Sequence, residues 1–171
     1  MEKKSQSVSE RQFILLSGIP GSGKTRFGNY LSKEHGFYFF ETDSNWDEFK
    51  RECNLGGVDN LVARWLNKHE HVCLEWGFEP CCLPYVLRFK NQGANMFWFT
   101  CDQHIALSNY LKTHPNDPKG VCWDIQFKKI EDAGLPTSDF VIIETYHNDD
   151  PIPLEELTQK ILSKRGYVLP K

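Results

Sequence analysis

Short apolar runs recur five times along this chain, and each is followed by residues at helical spacing. Phe13-Ile14-Leu15-Leu16-Ser17 is the first, and it stops at Gly18. So brief and continuous an apolar stretch fits a strand buried on both faces. Residues 37–40, 71–74, 96–100 and 140–143 repeat the pattern. Residues 24–34 read as a helix, with Phe27, Tyr30 and Leu31 at helical spacing and Gly36 as the stop signal. Two further helices are predicted at 44–53 and 58–67, separated by Gly56-Gly57, with Leu61, Trp65 and Leu66 facing inward. Others follow at 80–90, with Pro84 in or near the first turn, and at 103–112 and 123–132. A last amphipathic helix at 153–164 turns Leu154, Leu157, Ile161 and Leu162 inward. Residues 114–120 are turn chemistry. Strands that alternate with helices predict an α/β domain, a parallel sheet covered by helices on both faces.

Composition narrows this reading only a little. The 171 residues suit one domain, placed at 11–171 behind a flexible tail at 1–10. The net charge of −3 provides no global basic field for nucleic acid. No apolar run is long enough for a signal core or a membrane span, so a cytoplasmic protein is expected. The six cysteines lack zinc-ligand spacing and are expected as free thiols in a reducing compartment. None of the six histidines shows metal spacing with a partner.

The chemistry is concentrated in Gly18-Ile19-Pro20-Gly21-Ser22-Gly23-Lys24-Thr25, a full match to G-x-x-x-x-G-K-[ST]. Glycines let the backbone turn tightly against phosphates, and consecutive N–H groups then form an anion nest. The helix that begins at the loop points its positive end at the same charge. Lys24 would sit between the β and γ phosphates, and the Thr25 hydroxyl would bind Mg2+. Arg26 follows and is grouped with the nucleotide-binding residues. The motif lies between a predicted strand and a predicted helix, as its mechanism requires.

Carboxylates gather near the same rim, because ligands bind at the carboxyl ends of parallel strands. Glu75 ends the third strand, where a carboxylate can hold a magnesium-bound water or orient the nucleophile; the alternative is a solvated residue at a strand end. Asp43, just past the second strand, is the candidate base for an acceptor hydroxyl; the alternative is a helix N-cap or turn residue. Asp102 reads as the cap of the helix at 103–112. Trp46 and Trp76 could line an acceptor pocket, whereas Trp65 reads as core.

The P-loop, Asp43 and Glu75-Trp76-Gly77-Phe78 together resemble the small AAA-type P-loop proteins of the nucleoside-kinase-like group. That group includes polynucleotide 5′-kinase domains, zeta-toxin-like kinases and gluconate-kinase-like enzymes. The likeness covers about residues 12–145. It implies a three-layer P-loop NTPase fold with five parallel strands in the order 2-3-1-4-5. It also implies transfer of the γ-phosphate of ATP, with Mg2+, to a hydroxyl of a small-molecule or nucleoside-type acceptor. The chain departs from this group in one respect. Relatives carry arginines in the helix after strand four and in the lid, whereas no arginine here falls between Asp102 and Phe140. Lys112, Lys119, Lys128 and Lys129 stand there instead, and lysine cannot make the bidentate fork. Two placements stay open for Arg64 and Arg88: reaching in from earlier helices, or standing as solvated helix residues. Two alternatives follow: a slow ATPase or nucleotide-binding module with a regulatory role, and a polynucleotide 5′-hydroxyl kinase, against which the acidic charge counts. The Asn-Lys-x-Asp of guanine recognition has no match after a late strand, so adenine is the expected base.

Overall fold

The computed structural model describes residues 11–163, so the tail at 1–10 and the last residues of the chain lie outside the described residues. Its centre is a five-stranded sheet in the order β2-β3-β1-β4-β5. The strands are β1 (Gln12–Gly18), β2 (Tyr38–Glu41), β3 (His71–Glu75), β4 (Asn95–Thr100) and β5 (Val141–Glu144). Every pairing is parallel, so all five carboxyl ends share one rim.

Alternation along each strand sends side chains to opposite faces. Phe13 and Leu15 of β1 pack on one side with Val72, Leu74, Met96 and Trp98. Ile14 and Leu16 pack on the other with Cys73, Phe97 and Phe99. The second face is covered by α1 (Lys24–His35) through Phe27 and Leu31, and by α6 (Leu154–Leu162) through Leu157, Ile161 and Leu162. The first face is covered by α2 (Trp46–Lys68), α3 (Leu83–Asn91), α4 (Gln103–Thr113) and α5 (Val121–Asp132). The three layers and the strand order are those expected.

The predicted break between two helices survives as a kink inside α2, where Gly57 leaves helical geometry at φ 73° and ψ 172°. Residues 80–82 form a 3-10 turn leading into α3, so the helix expected from residue 80 begins at Leu83, with Pro84 in its first turn. A small antiparallel hairpin after β5 was not expected. It pairs β6 (Tyr146–His147) with β7 (Asp150–Pro151). These two-residue strands are too short for periodicity to reveal. All six cysteines are free, and none of the described helices is long and apolar enough to cross a membrane.

Candidate functional site

The loop from Gly18 to Thr25 leaves the end of β1 and opens α1, as the sequence required. Two of its glycines have no room for a side chain. A Cβ on Gly18, at φ +138°, would lie 2.1 Å from the Phe99 carbonyl oxygen. A Cβ on Gly21, at φ +84°, would lie 2.0 Å from the Ala106 carbonyl oxygen. The loop is therefore seated against β4 and α4. Side chains from distant segments hold its carbonyls. The Trp123 indole N–H donates to Pro20 O at 2.9 Å, the Thr145 hydroxyl to Ser22 O at 2.8 Å, and Asn109 Nδ2 to Gly21 O at 3.2 Å. Ser22 Oγ donates to Ile19 O at 2.8 Å within the loop itself.

Lys24 lies under the loop, only 7% exposed, and donates from Nζ to Gly18 O at 3.2 Å and Ile19 O at 3.0 Å. Burial lowers its pKa, while Glu75, Asp43 and Cys101 pull the other way. Thr25 Oγ1 donates to Glu75 Oε2 at 2.8 Å and lies 3.4 Å from Glu41 Oε1. Arg26 reaches from Nη2 to the Ile152 carbonyl at 3.4 Å.

Strand register brings the carboxylates here. Leu16 and Glu41 both pair with Glu75 across the sheet. Trp76 N donates to Leu16 O, Thr42 N to Glu75 O, and the buried Ser17 hydroxyl to Trp76 O. These bonds tie the end of β3 to the ends of its neighbours. Glu75 is buried, and its pKa is raised chiefly by that burial, against the pull of Lys24 and of the Thr25 hydroxyl. Asp43 opens the 3-10 turn before α2; Thr42 holds the cap position of that turn and Asn45 that of α2. The pKa of Asp43 is also raised, first by desolvation and then by Glu41, with Lys24 and His114 opposing. Asp43 is thus a residue of the 3-10 turn, as the alternative reading allows, and does not hold the cap position of α2. Asp102 does occupy the cap position of α4, without a side-chain capping bond.

The loop and these carboxylates open into a cleft of about 1130 Å³. Gly18, Pro20, Gly21, Gly23, Lys24, Thr25, Arg26, Asp43, Trp46, Glu75 and Trp76 all line it. Arg64 and Arg88 do not. Arg64 pairs with Glu52, and Arg88 pairs with Asp59 at 3.1 Å, both exposed on the α2–α3 side. Opposite charges nearby on those helices, not the cleft, account for both arginines. Trp65 is core, packed on Phe40.

Glu41, Trp123, Asn109 and Thr145 were missed in the sequence. Glu41 had a usable signal, because it ends a strand at the same level as Glu75. The other three are polar groups on elements that only the tertiary fold brings under the loop.

Strand order and loop together define a P-loop nucleotide-binding fold. A probable gluconokinase from Dictyostelium discoideum is 28% identical over 104 residues, 59% of this chain and 47% of that protein. The chain thus spans about half the length of the curated relative it matches. A gluconokinase from Sinorhizobium meliloti 1021 superposes with a TM-score of 0.59 at 15% identity, covering 90% of this chain and 91% of that one. Shikimate kinase from Acinetobacter baumannii, in complex with shikimate, gives 0.57 at 19% identity over 91% and 96%. No protein-family model matches the sequence. The chain therefore has the fold of small P-loop kinases, and the resemblance drawn from its motifs is matched by these neighbours.

Proposed function

We propose that this protein transfers the γ-phosphoryl group of ATP to a hydroxyl of a small-molecule acceptor. The observation that carries the reading is the meeting of Lys24, Thr25, Glu75 and Asp43 in one cleft at the end of a braced phosphate loop. The loop N–H groups and Lys24 would bind and orient the phosphates. The residues present also suit Mg2+. A hydroxyl hydrogen-bonded to a buried carboxylate is a fitting protein share for an ion that keeps mostly water and phosphate ligands. Thr25 and Glu75 would hold it, and its charge would offset that of the phosphates.

Asp43 takes the proton of the acceptor hydroxyl. The acceptor oxygen then bonds to the γ-phosphorus, and the bond to the β–γ bridging oxygen breaks, leaving ADP. A base with a pKa above the ordinary carboxylate value of 3.8 works nearer its operating pH. Most of the rate would come from positioning and charge neutralisation. The runner-up is a slow ATPase with a regulatory role. It is favoured by a cleft whose only arginine among the described residues is Arg26. An arginine finger can supply about 10³–10⁵ in rate.

The test is ADP formation from Mg-ATP with and without pooled hydroxyl acceptors, for wild type, Lys24→Ala and Asp43→Asn. Acceptor-stimulated turnover is expected, with a loss of about 10²-fold or more in both variants. The acid limb of the wild-type pH profile should lie above 3.8 and disappear in Asp43→Asn. ATP binding without stimulation by any pool would overturn the transferase reading in favour of the regulatory module.

A further inference from the structure

Charge and aromatic surface are unevenly spread across the cleft. Among the described residues its lysines and arginines are Lys24, Arg26, Lys112 and Lys129. Lys24 is buried beneath the phosphate loop. Arg26 and Lys112 also belong to the nucleotide side. Arg26 is bonded to Ile152 O, and Lys112 to the same Asn109 that holds Gly21 O. Lys129 alone stands on the opposite side, and both oxygens of Glu79 accept from it, at 3.0 and 3.2 Å. Glu79 also lines the cleft, as do Glu41, Asp43 and Glu75. Apart from His114, whose ring stacks on Tyr110 and is hydrogen-bonded through Nδ1 to Thr113 and Tyr110 O, the acceptor side offers a second anion no basic group outside an ion pair.

That side does have a bare aromatic ring. Of the five tryptophans, Trp65, Trp76, Trp98 and Trp123 are buried, and Trp46 is 44% exposed. Trp46 lies three residues from Asp43, on the cleft wall. Its ring is held in place by Phe49, stacked at 6.0 Å and 28°, and by Trp76 at 6.5 Å. A rigid exposed ring beside the candidate base is a stacking platform, since any planar π system gains from lying on it.

Resting on the phosphotransferase reading above, we propose that the acceptor is an uncharged hydroxyl compound with a flat π face. It stacks on Trp46 and presents its hydroxyl to Asp43. This is the chemistry shared by nucleosides and aromatic alcohols. Carboxylated acceptors such as gluconate and shikimate are disfavoured by the surrounding carboxylates and by the pairing of Lys129 with Glu79.

Acceptor binding is measured first, by equilibrium titration of the protein saturated with Mg-ADP, so that the nucleotide site is filled. Nucleosides, aromatic alcohols, gluconate and shikimate are titrated separately, and the same compounds then serve in the turnover assay. An uncharged planar compound should bind at least about tenfold more tightly than either acid. Trp46→Ala should weaken it about tenfold or more, with Trp46→Phe restoring most of the loss. Glu79→Gln, which frees Lys129, should narrow the gap by improving the acids. The nucleoside and aromatic-alcohol arms separate the two sources of the same chemistry. Tight binding of gluconate or shikimate, or planar binding indifferent to Trp46→Ala, would overturn the inference. Turnover of an acid acceptor would do the same while upholding the transferase reading. Planar binding without turnover would uphold the pocket and overturn the transferase reading.

Discussion

The two halves of the cleft are built by different means. On the nucleotide side the contacts are backbone ones. Three side chains from α4, α5 and the segment after β5 donate to consecutive loop carbonyls, and two glycines fill gaps too narrow for a methyl group. The acceptor side is made of side chains: Trp46, Trp76 and Phe78 packed edge to face or tilted, with the exposed Lys129–Glu79 pair at the rim. Backbone recognition suits a ligand whose phosphates are always the same. A side-chain wall can change its specificity without disturbing the fold, so the acceptor must be argued from this chain's own residues and not from its neighbours.

The sharpest way to break the contrast is to strike the nucleotide side where it has no slack. Gly21→Ala places a methyl 2.0 Å from the Ala106 carbonyl oxygen, at a φ that L-residues avoid. The obstacle is backbone, so no side chain can swing aside. A loss of about 3 kcal/mol or more is expected. For a domain of this size that is roughly 6–12 °C in melting temperature. Nucleotide affinity should fall as well. A variant that melts and binds nucleotide like wild type would show that the loop is not clamped as described.

A smaller effect is expected at Trp123. Trp123→Phe keeps a ring in the core but removes the N–H that serves Pro20 O, together with part of the buried indole volume. Leaving a buried acceptor unserved costs about 1–3 kcal/mol. Nucleotide binding should weaken along with stability. Trp65→Phe, in the core away from the cleft, should cost stability and leave nucleotide affinity alone. Equal effects of the two variants on affinity would mean that Trp123 acts only by filling space.

How much of this could be read from the chain follows the same division. The loop motif carries its mechanism in its spelling, and the five buried strands are visible as apolar runs, so fold and nucleotide half were legible. Asp43 and Glu75 could be found because parallel strands collect their ends at one rim. Arg64 and Arg88 could not be placed, since helical spacing does not say which exposed face looks toward a cleft. Both turned instead to local carboxylates on α2. Nothing in the sequence around Trp123 shows that its indole nitrogen meets Pro20; only the fold brings the two together. The hairpin after β5 is too short for a periodic signal, yet it contributes Tyr146, whose hydroxyl accepts from Asn109 at 2.9 Å.

The smallest expected effect has the opposite sign. Glu75 has its pKa raised above 4.5 by burial, with Glu41 and Asp43 adding repulsion. Between 4.5 and that raised value the folded protein holds a proton that the unfolded chain has released. Stability contributed by this group is therefore complete below 4.5 and lost as pH rises through the folded value. Glu75→Gln keeps an oxygen to accept from Thr25 and removes the charge that burial penalises. The nucleotide-free variant should melt at or slightly above wild type at neutral pH, with the gain shrinking as the pH falls toward 4.5. Phosphoryl transfer should decline in the same variant, because the carboxylate proposed to hold Mg2+ is removed. A difference in melting temperature that is unchanged from pH 4 to pH 8 would mean that Glu75 is not held at a cost. A variant less stable at neutral pH would mean that its attraction to Lys24 outweighs its burial.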